Sequence, residues 1–135
     1  MIVVAANVIV YLLTPGSRSE LAWATAERDD DWRVPVLWRS EVRNALLGIV
    51  RAGQLDAGDA VVSMDRAERL LLGASHEVQS AHVLELALSS GCSAYDCEYV
   101  SLADTLDVRL VTSDREVIAA FPKRAVDIRE FAVGR

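Results

Sequence analysis

Lysine is almost missing from this chain: Lys123 stands alone, and the other thirteen of the 14 basic residues are arginine. A phosphoacceptor receiver domain wants a lysine near an aspartate that ends a middle strand, so that class fits badly. Arginine suits planar, bidentate contacts to phosphate or carboxylate, although a GC-rich genome would leave the same bias. Cysteine is scarce as well. Cys92 and Cys97 form neither a CxxC pair nor a zinc spacing and read as buried small hydrophobes in a reducing compartment. His76 and His82 would face different sides of one helix and have no cysteine in ligand spacing, which argues against a zinc centre. No apolar run approaches the roughly 20 residues of a membrane span. The opening MIVVAANVIVYLL lacks a basic leader and a small-residue cleavage site, so a soluble cytoplasmic protein is expected. Positive charge is in deficit throughout: 20 acidic residues against 14 basic ones give a net charge of −6. That balance opposes broad nucleic-acid binding, which wants a positive face. It leaves a nuclease open, because a divalent metal supplies positive charge locally.

What is present is the material of an ordinary globular domain. A length of 135 residues with 52% hydrophobic content predicts a single domain over 1–135 with ample core. Residues 2–4 are an apolar, β-branched run fit for a buried parallel strand. Asn7 is placed to cap a short helix that stops before Thr14-Pro15-Gly16. A helix is predicted over 19–29, closed by the acidic loop at 29–31, and a second strand over 32–36. Residues 37–52 carry Val42, Leu46, Ile49 and Val50 on one stripe, with Gly53 as the stop. Two more amphipathic helices are expected over 54–72 and 77–90. Tyr95, Tyr99, Leu102, Ala103 and Leu106 mark another. A third strand follows at 109–112, Ser113 opens a helix, and 125–128 is a last strand. Strands separated by helices imply a parallel α/β sheet with right-handed crossovers, and the long helical stretch in the middle suggests a helical pair packed on one side.

Three acidic residues stand at strand ends or helix starts: Glu41 in WRSEVRNAL, Asp96 in SAYDCEYVSLA and Asp114 in LVTSDREV. Each has a structural account. Ser93 to Asp96 and Ser113 to Glu116 fit capping boxes, and a carboxylate in a first helical turn is favourable anyway. Together they mean more. Strand C-termini and the helix N-termini they feed lie along one edge of an open parallel sheet, where ligands bind. Carboxylates gathered there repel one another unless a hard cation bridges them.

Four segments in order, MIVVAANVIVYLL, VPVLWRSEVRNALLGIVRAG, SAYDCEYVSLA and LVTSDREV, resemble PIN-domain proteins of the VapC toxin type, the ribonuclease half of bacterial toxin–antitoxin pairs. The resemblance covers essentially the whole chain. It implies a three-layer α/β/α fold with a central parallel sheet, and Mg²⁺- or Mn²⁺-dependent endoribonuclease activity. It also implies a homodimer and a cognate VapB-type antitoxin that blocks the site. Glu41, Asp96 and Asp114 match the family's metal-binding acids. Asn7 and Thr112 match its supporting polar residues, and Glu116 a peripheral acid. The departure is Ala5. In this family the first strand ends on an aspartate two residues before the asparagine, and that aspartate is a principal metal ligand.

Loss of that oxygen donor predicts little or no nuclease activity. The alanine is either a substitution introduced to tame a toxic enzyme or the natural residue of a catalytically silent module that binds an antitoxin or a dimer partner. A housekeeping nuclease of RNA maturation is a third reading. Trp38, beside Glu41, could stack on an RNA base or pack at a helix start. Trp23 and Trp32 could underlie an antitoxin segment or join the core. Leu12, Leu13, Leu21, Leu46, Leu47 and Ile49 offer more apolar surface than three short helices bury, which an antitoxin peptide or a dimer would cover. Arg39, Arg43 and Arg115 could touch an RNA backbone or pair with the acids.

Overall fold

In the computed structural model, residues 1–134 are described. They fold as β1 (Ile2–Val4), α1 (Ala6–Leu13), α2 (Ser19–Arg28), β2 (Trp32–Pro35), α3 (Trp38–Arg51), α4 (Ala57–Leu70), β3 (Ser75–His76), α5 (Ser80–Ser90), α6 (Ala94–Leu106), β4 (Leu110–Thr112), α7 (Arg115–Ala120), β5 (Ala125–Asp127) and α8 (Ile128–Ala132). The five strands form one sheet in the order β3-β2-β1-β4-β5, and every pairing is parallel. The chain therefore runs outward from β1 in one direction through β2 and β3. It then returns to the other side of β1 with β4 and β5.

Strand alternation explains the two faces. Ile2 and Val4 pack with Val34, Val111 and Val126 against α1, α3 and α8. Val3, Leu110 and Ala125 point the other way, onto Val100, Leu102 and Ala103 of α6 and Val117 of α7. Side chains two apart on a strand share a face, so three-residue strands suffice to seat a helical layer on each side. The result is the expected three-layer α/β/α arrangement around a parallel sheet. Among the described residues, no helix is long and apolar enough to cross a membrane.

The structure corrects several local readings. β3, only two residues long, has no sequence pattern to reveal it; it hydrogen-bonds along the free edge of β2. The helix expected from residue 77 begins at Ser80 because Ser75 and His76 are spent on that strand. The last strand ends at Asp127, whose side chain accepts from the Arg129 N–H and starts α8, an element the sequence reading missed. Gly53 does end its helix, at φ +76°, a conformation costly for other residues. Trp38 is fully buried and donates its indole N–H to Ser75 Oγ at 3.0 Å, so it is core and is unavailable for stacking. Trp32 is buried as well, whereas Trp23 is half exposed. Cys92 and Cys97 are both free thiols.

Candidate functional site

The sheet reverses its direction of growth between β1 and β4, and the crevice beyond the C-terminal ends of such neighbours is where ligands bind in open α/β sheets. A cavity of ≈ 400 Å³ opens there, and Ala5, Asn7, Tyr11, Glu41, Asp96, Tyr99, Thr112 and Asp114 are among the residues lining it. The three carboxylates predicted from distant segments thus border one space. Each arrives by a different route. Glu41 lies in the first turn of α3 and Asp96 in the first turn of α6. Asp114 follows β4 and sits just ahead of α7.

Asp114 is itself the cap of α7. Its Oδ1 accepts from the N–H groups of Glu116 at 2.9 Å and Val117 at 3.3 Å. The expected capping box opened by Ser113 is therefore displaced by one residue, and the Ser113 hydroxyl bonds Tyr11 Oη at 2.9 Å instead. The other box begins as expected, with Ser93 Oγ accepting from the Asp96 N–H at 3.1 Å. Asn7 does not cap α1, which starts without a side-chain cap. Its amide reaches across the crevice: Nδ2 donates to Thr112 Oγ1 at 3.4 Å, and Oδ1 accepts from the Ser113 N–H at 3.3 Å. Thr112 Oγ1 also accepts from the Asp114 N–H at 3.1 Å. Asn7 and Thr112 thereby tie the ends of β1 and β4 together and fix the backbone that carries Asp114.

Electrostatics at this rim are unrelieved. Burial raises the Glu41 carboxyl above its ordinary range, and the charge of Asp96 adds to the shift. Burial likewise raises Asp96, and Asp114 and then Glu116 push it further. Glu116 is exposed and outside the lining, so its influence is peripheral. Among the described residues, Glu41, Asp96 and Asp114 enter no ion pair. Arg43 reaches Glu68 at 3.9 Å, and Arg39 lies over the Trp38 ring.

One acidic pairing was not anticipated. Glu41 Oε1 and the Tyr99 hydroxyl are the two buried side-chain polar atoms, among the described residues, without a hydrogen-bond partner. They line the same cavity. Distance and angle give neither atom a hydrogen bond, yet the two groups are near enough for each to bear on the other's ionisation. Burial first, and Glu41 second, push the Tyr99 phenol far upward, so it stays protonated. The i, i+4, i+7 periodicity through Tyr99 marks it only as a core residue, which conceals a hydroxyl turned toward the acids.

The donors here are all oxygen, the set preferred by hard divalent cations. An uncompensated carboxylate pair with an orphaned oxygen fits such an ion in chemistry. It does not fit in number: among the described residues, no group of three or more His, Cys, Asp or Glu is gathered so as to hold a metal ion. Ala5, the residue after β1, lines the same cavity with a methyl group and brings no side-chain oxygen to it.

Comparison with known proteins bears on this arrangement. The sequence profile described as PIN domain matches residues 2–123. Ribonuclease VapC3 of Pyrobaculum aerophilum is 30% identical over 124 residues, covering 90% of this chain and 95% of the relative. Among solved structures, PAE2754 from Pyrobaculum aerophilum superposes with a TM-score of 0.77 at 25% identity, covering 98% of this chain and 93% of that one. FitAcB from Neisseria gonorrhoeae superposes at 0.73 with 17% identity, covering 96% and 99%, a likeness of fold.

Proposed function

The chain belongs to the PIN-domain family, and from that premise we propose that it is a single-domain, metal-dependent endoribonuclease toxin whose present form is disabled at Ala5. The observation that carries the reading is the convergence of Glu41, Asp96 and Asp114 on one cavity at the β1–β4 crevice. The identity to a protein named as a ribonuclease supports RNA as the substrate.

With a carboxylate restored at position 5, Glu41, Asp96 and Asp114 would hold Mg²⁺ or Mn²⁺; without it the three acids make an incomplete set. When bound, such an ion polarises a phosphodiester oxygen and lowers the pKa of a coordinated water. The remaining work falls to the chain's own groups. Asn7 and Thr112 clamp the strand ends so that Asp114 keeps its place. Asp114 spends Oδ1 on the α7 cap and has Oδ2 outside that cap. Tyr99, protonated and buried, keeps a hydroxyl at the cavity wall near Glu41. At position 5 the methyl group supplies neither charge nor a lone pair, so ion affinity and the positioning of the attacking water both suffer.

The partner of this reading is a cognate VapB-type antitoxin. An apolar groove of ≈ 130 Å³ runs between α1, α2 and α4, lined by Leu12, Leu13, Trp23, Leu70 and Leu71, with Trp23 and Leu70 51% and 63% exposed. It suits the apolar face of a peptide helix. A homodimer is part of the same reading; Leu84 and Leu88 leave α5 with exposed apolar surface for it. The alanine itself favours a second reading, a non-catalytic module that captures antitoxin or a dimer partner.

Cleavage of total cellular RNA with Mg²⁺ or Mn²⁺, before and after Ala5→Asp, tests the proposal. A gain of about a hundredfold or more is expected, the scale of regaining a group that stabilises charge at the reacting centre. A folded Ala5→Asp protein that binds the ion and cuts no RNA would leave the non-catalytic module. Growth arrest by that variant, relieved by a small neighbouring gene product, would set a toxin apart from a housekeeping nuclease of RNA maturation.

A further inference from the structure

RNA approaching the carboxylate cavity meets no cation in its lining, which contains no arginine or lysine. A polyanion held beside three acids needs positive charge close by to fix its neighbouring phosphates. A cavity that adjoins the first one supplies a cation held in place by its neighbours. A second cavity, of ≈ 240 Å³, abuts the first and shares Val10, Tyr11 and Ile49 with it. Its lining is formed largely by the turn between α1 and α2. It contains no acidic residue, one cation, Arg18, and the hydroxyl-bearing Ser17 and Ser19.

Arg18 is exposed yet held in place. Its Nη1 donates to Tyr11 Oη at 2.6 Å, and its guanidinium lies 5.3 Å from the centre of the same ring. Tyr11 Oη, which accepts from Arg18, also shares a hydrogen bond with Ser113 Oγ at 2.9 Å. Ser113 immediately precedes Asp114. Gly16, at φ +146°, makes the sharp turn that brings the chain back over Tyr11; a residue with a Cβ adopts that backbone rarely. Ordinary surface arginines have no such tether, and the guanidinium fork matches phosphate oxygens bidentately. Only one of its donors is committed to Tyr11 in this relay, which leaves the rest of the fork for a ligand.

We infer that the pocket around Arg18 is a subsite for a phosphate of the RNA strand flanking the one at the carboxylate cavity, and that the Arg18–Tyr11–Ser113 relay sets its register on the acidic rim. This rests on the ribonuclease reading above. It accounts for how a chain of net charge −6 grips RNA: one fixed guanidinium next to the acids, in place of a broad basic face.

Binding without cleavage is the direct test, and the chain as it stands, with alanine at position 5, suits it. Fluorescence anisotropy with a labelled single-stranded RNA oligonucleotide in Mg²⁺ would compare the unaltered protein with Arg18→Gln and Arg18→Lys. Loss of one phosphate contact predicts about a tenfold weaker affinity for Arg18→Gln and a salt slope smaller by about 0.7. Arg18→Lys keeps the slope but loses register. A methylphosphonate scan of the RNA adds a readout that depends on no variant: one neutralised position weakens binding to the unaltered chain and has no effect on Arg18→Gln. Equal affinity and slope for Arg18→Gln and the parent, or a scan with uniform small losses, would overturn the subsite while the ribonuclease reading survives. An unaltered protein that binds no RNA would overturn both.

Discussion

At the scale of single residues, the site is defined by what its acids lack. Glu41 and Asp96 are more readily protonated in the folded chain than their ordinary values of 4.5 and 3.8. A carboxyl with a raised folded pKa contributes stability that is complete below its unfolded pKa and is lost as pH rises through the folded one. In the metal-free protein this contribution therefore disappears between the ordinary carboxylate range and the raised values, leaving a penalty at neutral pH. Removing one charge should relieve it. Glu41→Gln is expected to raise the melting temperature in EDTA at pH 7, with a gain that vanishes near pH 4, and calorimetric melting across that range checks it. A variant that melts no higher than the parent at pH 7 would mean the acids are not in conflict. Tyr99 is the residue least readable from sequence: periodicity places it in the core, and only the fold turns its hydroxyl toward Glu41.

Elements explain why particular side chains point where they do. Asp114 serves two ends, since the same carboxylate borders the cavity and caps α7. Asp114→Ala should cost about 1 kcal/mol of stability from the lost cap. Asp114→Asn keeps an acceptor for the Glu116 and Val117 N–H groups, so it should unfold at nearly the parental denaturant midpoint while losing affinity for divalent ions. If both variants unfold alike, the cap contributes little. Asn7 teaches a related lesson. Its position before an apolar helix matches a cap, but the amide finds better partners across the sheet in Thr112 and Ser113. Local pattern identifies that helix and leaves the destination of its polar side chain open, because a partner 105 residues away leaves no local trace. β3 and α8 escaped the sequence for another reason. Two-residue and five-residue elements are too short to express a period, and edge pairing or a single Asp127 cap decides them. The long helices and the buried strands were legible because each repeats its apolar spacing over several turns or is wholly apolar.

Across the whole molecule, the switch in strand order is the feature that makes chemistry of scattered acids. β1 and β4 lie side by side although more than a hundred residues separate them, paired Val3 to Leu110 and Val4 to Val111. This brings position 5 and Asp114 to the lining of one cavity. The order of the motifs already pointed to that convergence; the tether at Arg18 and the shape of the apolar groove needed the fold, because both depend on which helices neighbour α1. The core that holds this geometry is tight: Trp38 fills the junction of α3 with the edge strand, and Trp38→Ala should cost about 3–5 kcal/mol in equilibrium unfolding. On the outside, Trp23→Asp with Leu70→Asp should abolish binding of the cognate antitoxin in a calorimetric titration while shifting the melting temperature little, since both side chains are largely exposed. Unchanged antitoxin affinity would assign that partner to another face. The central claim is that this cavity is a divalent-ion site short of one oxygen at position 5. Titration calorimetry of Mn²⁺ into the present chain and into Ala5→Asp tests it most directly. The account predicts weak binding to the chain as it is, and about tenfold or more tighter binding, roughly 1.4 kcal/mol, once the carboxylate is present, with the gain removed by Asp96→Asn. Equal affinities for the two proteins, or a gain indifferent to Asp96, would contradict it.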